Sequence, residues 1–304
     1  MSECPEYDEF AEYYDHVLPY RNRDDVGFFV DLARAASGPV LEVACGTGRV
    51  LLPCARAGAA MVGLDLSSGM LDVCRQQLAH ETPEVRDRVE LHHADMRRFD
   101  LGRQFGLITA PFRGFQHLLT VEDQQQSLRA IRGHLAEEGR FVLDLFNPSM
   151  PFLGDERWLV NPLVEPAFSM PDGRSVVRSF RIVGRNYFMQ VQQMEMAYDV
   201  TWPDGRVERR ASRFSLRYLF RFEAELLLVR EGLRLESGPD SLAAGREPRA
   251  ASRRARGVLA QAGPRAQKVG RYGVSHCAIK VKRFVKISTP IATSRAPDAI
   301  STHL

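Results

Sequence analysis

Two carboxylates and two glycines are the residues in this chain best placed to do chemistry together. Glu42 lies inside an apolar run, Val40 to Val43. Gly46 and Gly48 follow it, and Asp65 closes a second apolar run, Met61 to Leu64. A carboxylate only accepts hydrogen bonds, so Asp65 can hold the two neighbouring hydroxyls of a ribose. Glycines lack a Cβ and let the backbone lie against a ligand. The pattern is E-x-x-x-G-x-G, with Asp65 lying 19 residues beyond Gly46. It departs from the G-x-G-x-x-G of nicotinamide dinucleotide sites. Taken singly, Asp65 also reads as a helix N-cap and Glu42 as a solvated strand end. At this spacing the pair reads as one half of a nucleotide-binding α/β fold.

Further groups with chemical potential surround this unit. His117, in F-R-G-F-Q-H-L-L, follows an apolar run, and a neutral imidazole there can take a proton; a surface histidine is the other reading. Tyr13 and Tyr14 belong to a segment, residues 5–20, with four tyrosines among acids. That segment reads as an amphipathic helix covering the core, with Phe10, Tyr13, Tyr14 and Val17 inward, or as a lid over a ligand. Arg21 and Arg23 can pair with a carboxylate through a bidentate guanidinium, or remain solvated. The five cysteines are odd in number and form no C-x-x-C pair. They read as reduced thiols of a cytoplasmic protein, with no metal site expected.

The elements that must position these groups alternate. A helix over Asp24 to Ala36 precedes the first strand. A second helix runs from Arg49 to Arg56, and a third opens at Ser67, a plausible N-cap, with Met70, Leu71, Cys74 and Leu78 on its apolar side. Val89–His93, Phe105–Ala110 and Arg140–Phe146 read as strands, with a helix from Glu122 to Leu135. The expected fold is α/β: a Rossmann-like, mostly parallel sheet with helices on both faces. From Glu165 to Phe222 the pattern becomes β-like, with turn signals at Pro171-Asp-Gly173 and Pro203-Asp-Gly205, so a small antiparallel sheet is expected as an insertion. The divisions read 1–38 (helical lid), 39–150 (core), 160–222 (inserted sheet), 223–236 (return to the core) and 237–304 (tail). The tail is rich in Ala, Arg, Gly and Pro and is expected to be disordered, or aberrant through a shifted reading frame. Only Ile279 to Ile287 alternates, weakly, as a last strand would.

The overall charge of +3 conceals an asymmetry. The tail holds 13 basic and 3 acidic residues, while the rest is mildly acidic. No apolar run is long enough to span a membrane.

The stretch L-E-V-A-C-G-T-G-R resembles the first motif of class I S-adenosylmethionine (SAM)-dependent methyltransferases, and the resemblance extends over roughly residues 7–236. It implies that the loop Ala44 to Gly48, with Gly46 between, packs on the methionine part of SAM. It implies that Asp65, followed by Leu66, binds the ribose hydroxyls. Met70 would touch the adenine, although a lone helical Met also reads as core. In Ala94-Asp95-Met96, Asp95 would accept from the adenine amino group and Met96 would flank the ring. Ala110-Pro111-Phe112 would lie beside the sulfonium, Tyr13 or Tyr14 would come from the lid, and Arg21 or Arg23 would meet the SAM carboxylate. His117 and Tyr14 are the catalytic candidates.

The resemblance implies in-line methyl transfer, which needs alignment and exclusion of water rather than a covalent nucleophile or a metal. The fourth strand is followed by Ala-Pro-Phe-Arg and not by Asn/Asp-Pro-Pro-Tyr/Phe, which argues against a nucleic-acid base amine. The expected function is transfer from SAM to N or O of a small molecule. The inserted sheet would cover the acceptor or form a homodimer interface. Three other readings stand: an NAD-binding oxidoreductase, disfavoured by the glycine spacing; a catalytically impaired SAM-binding or interaction protein; and a nucleic-acid methyltransferase using the basic tail, whose only aromatics are Tyr272 and Phe284.

Overall fold

The computed structural model describes residues 5–17, 20, 23–146, 150–235 and 284–288. Two short helices, α1 (Pro5–Asp8) and α2 (Ala11–Tyr14), precede α3 (Val26–Arg34). Then come β1 (Val40–Val43), α4 (Leu51–Arg56), β2 (Met61–Asp65), α5 (Ser68–Ala79), α6 (Pro83–Arg86), β3 (Val89–His93) and β4 (Phe105–Ala110). A 3-10 turn at Gly114–His117 leads to α7 (Val121–Gly133) and β5 (Leu135–Asp144). After α8 (Met150–Gly154) and α9 (Arg157–Val160) come β6 (Leu163–Val164), β7 (Phe168–Ser169), β8 (Ser175–Asn186), β9 (Val191–Thr201) and β10 (Val207–Arg217). The remaining elements are α10 (Arg221–Arg230), β11 (Arg234–Leu235) and β12 (Phe284–Ser288).

The main sheet has the order β11-β12-β5-β4-β1-β2-β3. The five strands from β3 to β5 run parallel, and β12 joins antiparallel to both β5 and β11. β1 and β4 are buried at every position, as central parallel strands covered on both faces must be. On one face Leu41, Val43, Leu64 and Ile108 pack with Leu128 and Ile131 of α7 and Leu228 of α10. On the other, Val40, Met61 and Leu107 pack with Phe29, Leu51, Leu52 and Leu71. Each fully buried side chain of this size contributes about 1.5–3 kcal/mol. The parallel sheet opens the C-terminal ends of β1, β2, β3 and β4 onto one crevice.

The inserted sheet is antiparallel throughout, in the order β10-β9-β8-β6, with β7 also on β8. Both turn signals fall where strands reverse, between β7 and β8 and between β9 and β10.

One expectation needs correction and one is sharpened. The N-terminal segment forms two short helices instead of one. Its apolar face is the expected Phe10, Tyr13 and Val17, but these side chains pack on Met170, Val176, Met196, Tyr198 and Val200 of the insertion rather than on the α/β core. Phe10 stacks on Tyr198 at 4.9 Å between ring centroids. Within the tail, the weak alternation at Ile279–Ile287 falls on β12, which sits inside the main sheet and pairs over Phe284–Ser288 with β5. The rest of 236–304 lies outside the described residues, as does Arg21. No described helix is long and apolar enough to cross a membrane.

Candidate functional site

The crevice is a cavity of about 630 Å³ that runs from the strand ends to the inserted sheet. At the strand ends the chain turns sharply. Ala44 has φ +57° and Gly46 φ +56°, and a Cβ on Gly114 would lie 2.6 Å from the Ala44 Cβ. The turn after β4 therefore approaches the glycine loop closely enough to require glycine at 114.

Three acids line this end. Asp65 is fixed by backbone: Gly46 N–H donates to Oδ2 at 2.8 Å and Ser67 N–H to Oδ1 at 2.9 Å. Burial pushes its carboxyl up and these donors oppose the rise. Each oxygen keeps a lone pair for a further donor. Ser67, not Asp65, caps α5, accepting from Met70 N–H at 3.1 Å. Asp95 also loses solvation, but Arg97 grips both its oxygens through Nε at 3.0 and 2.9 Å and holds its carboxyl below the usual range. Glu42 is 1% exposed, so it is no solvated strand end. Burial raises its pKa to about 8, and its Oε2 has no hydrogen-bond partner among the described residues. An orphaned buried carboxyl oxygen on a cavity wall is costly unless a ligand satisfies it.

A cationic cluster borders the acids. Asp25, buried, accepts from Arg49 Nη1 at 2.7 Å and Nη2 at 3.1 Å, and from Arg23 Nε at 2.7 Å. Arg23 also reaches Asp144 at 3.4 Å. Its guanidinium lies 4.5 Å from the ring centre of Phe112. Phe112 and Arg113 are both left-handed, with φ +53° and +69°, and Phe112 N–H donates to Asp144 at 3.1 Å. This strained turn swings Phe112 and then His117 toward the cavity.

At the insertion end, His117 Nε2 lies 3.1 Å from the Tyr7 hydroxyl. The His117 ring is also 5.8 Å from that of Phe214 on β10. Burial lowers the His117 pKa to about 4, so the imidazole is neutral near pH 7. Tyr14 and Tyr20 pack together, and Tyr20 meets the Phe112 edge at 5.0 Å. Burial holds the Tyr14 phenol well above its ordinary range, and so protonated. Arg178 and Glu165 form a buried ion pair on this wall, at 3.0 Å. Arg178 Nη2 donates to the Tyr20 hydroxyl at 2.6 Å. Leu163, Phe180, Met194 and Leu216 supply apolar surface beside it.

Of the residues singled out in the sequence, Tyr14, Arg23, Glu42, Ala44, Gly46, Asp65, Leu66, Met70, Asp95, Met96 and His117 share the cavity wall. Two do not. Gly48 turns away, and a Cβ there would meet Cys74 Sγ at 2.7 Å, so it serves the packing of α5. Ala110 is 1% exposed inside the core; Pro111 and Phe112 reach the cavity in its place. Tyr7, Tyr20, Thr47, Arg49, Glu165, Arg178 and Phe214 also line it and were not singled out as site residues. Tyr7 and Tyr20 lay in the tyrosine-rich segment already noted. The insertion residues carried no local signal, because only the sheet register brings them together.

Comparison with known proteins fits this geometry. A family model described as a methyltransferase domain matches residues 40–139. The chain is 30% identical over 241 residues to the dTDP-3-amino-3,4,6-trideoxy-alpha-D-glucopyranose N,N-dimethyltransferase of Streptomyces venezuelae, covering 76% of this chain and 94% of that protein. It is 28% identical over 239 residues to the dTDP-3-amino-3,6-dideoxy-alpha-D-glucopyranose N,N-dimethyltransferase of Streptomyces fradiae, covering 76% and 86%. The crystal structure of Streptomyces venezuelae DesVI superposes with a TM-score of 0.60 at 26% identity, over 74% of this chain and 91% of that one. With its parallel sheet, glycine loop and acid-lined crevice, the chain belongs to the class I SAM-dependent methyltransferases, as an enzyme that methylates small molecules.

Proposed function

We propose that this enzyme methylates the amine of a nucleotide-linked deoxyamino sugar. The observation that carries the reading is the single cavity: it joins the acid-lined strand ends to an aromatic and apolar wall and sets a neutral histidine between them. The sugar substrates printed for the two Streptomyces relatives supply the acceptor class.

The residues present fit SAM. Asp65, with spare lone pairs and Leu66 beside it, would hold the ribose hydroxyls. Asp95 and the Met96 backbone would meet the adenine, with Met70 below it. The orphaned Glu42 Oε2 would face the ammonium of the methionine part, on the backbone of Ala44 and Gly46. The Arg23 Nη1 donors make no hydrogen bond among the described residues and would take the carboxylate. SAM supplies a methyl group activated by its sulfonium. The protein's task is then to align the amine and exclude water. His117 would accept an N–H of the acceptor amine, orient its lone pair, and take the proton the amine sheds. Tyr14 would close the cavity from the side of the N-terminal segment.

The test is incubation of the purified protein with SAM and dTDP-3-amino-3,6-dideoxy-alpha-D-glucopyranose, read by mass spectrometry. One or two methyl increments on the amine are expected. Intact S-adenosylhomocysteine binding with no transfer to that amine would refute the amino-sugar reading and leave the family membership standing.

A further inference from the structure

The turn that carries His117 is held from an unexpected side. Gln116, its neighbour, points away from the cavity and is 1% exposed. Its side-chain amide spans three segments. Gln116 Oε1 accepts from Phe146 N–H at 2.7 Å, just past the end of β5. Gln116 Nε2 donates to the Phe146 carbonyl at 3.2 Å and to the Arg217 carbonyl, at the end of β10, at 3.1 Å. The amide is therefore paired on both its oxygen and its nitrogen, inside a water-poor interior where an unmade bond is costly. The Arg217 guanidinium adds one bond in the same direction, donating to the Leu119 carbonyl at 3.4 Å.

Each clamped segment brings a different part of the site. The turn brings His117. The β5 end brings Asp144, which holds Phe112 N–H. β10 brings Phe214, three residues before Arg217, against the His117 ring. The chain leaves the main sheet for the insertion just past Phe146 and returns from it at Arg217, so the Gln116 amide ties both crossings to the turn that carries His117.

The geometry points to Gln116 as a positioning residue: it fixes the His117 imidazole at its working distance from the acceptor wall, and it acts through His117 rather than on the substrate. This rests on His117 being the proton acceptor proposed above. Side-chain placement within about 1 Å is worth up to about 100-fold in rate, so loss of the clamp should fall mainly on turnover.

Gln116→Met keeps the volume and removes the amide. Its kcat with the amino-sugar acceptor named above should fall about 10- to 100-fold, with the S-adenosylhomocysteine dissociation constant within about twofold as the check of folding. In a His117→Asn background the same substitution should lower kcat no further, because residues that act as a unit are non-additive. A second readout needs no acceptor. By NMR of the imidazole nitrogens, wild-type His117 should stay neutral down to about pH 4. In Gln116→Met it should titrate at least about one unit closer to the ordinary value of about 6.5. If Gln116→Met does not bind S-adenosylhomocysteine, Gln116→Asn replaces it, because its shorter amide cannot reach both partners. An unchanged His117 titration, or an equal loss of kcat with and without His117, overturns the assignment of Gln116. Wild-type kcat in His117→Asn overturns the role of His117 instead.

Discussion

Glu42 should make ligand binding expel a proton. Its carboxyl is buried on β1 with Oε2 unpartnered, and burial lifts its pKa from the ordinary 4.5 to about 8. At ~1.4 kcal/mol per decade, the ionised form is penalised by roughly 5 kcal/mol in the ligand-free protein. Arg49 relieves part of the penalty, while Asp65 and Asp25 add to it. Near pH 7 the acid is therefore protonated before ligand arrives. An ammonium placed against Oε2 favours the carboxylate, so binding below about pH 8 releases one proton, and affinity weakens as pH falls, by up to about tenfold per unit. Between about pH 7.5 and about pH 6 the dissociation constant of S-adenosylhomocysteine, which carries the same ammonium, should rise roughly 30-fold. Titration calorimetry in two buffers of different ionisation enthalpy counts the proton directly. Glu42→Gln should release none and flatten the pH profile. A buffer-independent enthalpy in the wild type, or the same pH slope in Glu42→Gln, would refute the reasoning. The ligand-free stability carries a matching sign. From pH 4.5 to 8 the folded state holds a proton that the unfolded state has lost, so the Glu42 contribution declines as pH rises through that window. His117, with its pKa lowered to about 4, acts oppositely: below its ordinary 6.5 the unfolded state protonates first, and stability falls as pH drops toward 4.

Arg178→Met should cost about 3–5 kcal/mol in chemical denaturation, because it strands the buried Glu165 carboxylate. Adding Glu165→Leu should restore most of that loss, and a single substitution costing under about 1 kcal/mol would show the pair to be solvated. The two loop glycines should separate stability from binding. Gly48→Ala, at φ +85° with its Cβ 2.7 Å from Cys74 Sγ, should lose roughly 2 kcal/mol or more of stability and little ligand affinity. Gly46→Ala, whose Cβ meets no atom within 4 Å and which lines the cavity, should cost about 1 kcal/mol of stability and weaken S-adenosylhomocysteine binding more strongly. Thermal melts with and without ligand measure both, and the reverse ranking would undo the assignment of Gly48 to packing.

The cofactor end was legible because it is local. β1, the glycine loop, α4 and β2 fall within one stretch of sequence, and each acid sits on or just beyond a strand whose apolar run announces it. The errors there are errors of a residue or two at a bend. Ala110 was placed beside the sulfonium, with Pro111 and Phe112, by the family resemblance; it is buried in the core, and the left-handed backbone at Phe112 and Arg113 carries the wall further along. Non-glycine residues in that conformation leave no pattern in a sequence. The N-terminal segment showed the right apolar face with the wrong partner, since spacing reveals that a face is buried and not what buries it. The acceptor wall was the least legible. Arg178 and Glu165 are 13 residues apart, and their pairing depends on a fold-back through β6 and β8 that no helical or alternating period encodes. β12 showed in the sequence only as the weak alternation over Ile279 to Ile287, because its five residues reach their place between β5 and β11 from far along the chain.

The two ends of the cavity answer to different constraints, and the His117 turn is where they meet. The cofactor end is made of strand termini in a parallel sheet, where a shift of one side chain would disturb the packing of β1 and β4 on both faces. The insertion end is made of an antiparallel sheet on which the N-terminal residues Phe10, Tyr13 and Val17 pack and to which Tyr20 bonds through Arg178, and the Gln116 amide joins its β10 end to the His117 turn. Side chains on such a sheet can change without cost to the parallel core, so the acceptor can vary while the cofactor site stays fixed. In-line transfer nevertheless demands that both ends keep one geometry. The buried Gln116 amide, beside the proposed proton acceptor His117 and bonded to Phe146 and to Arg217 of β10, is placed to serve that demand.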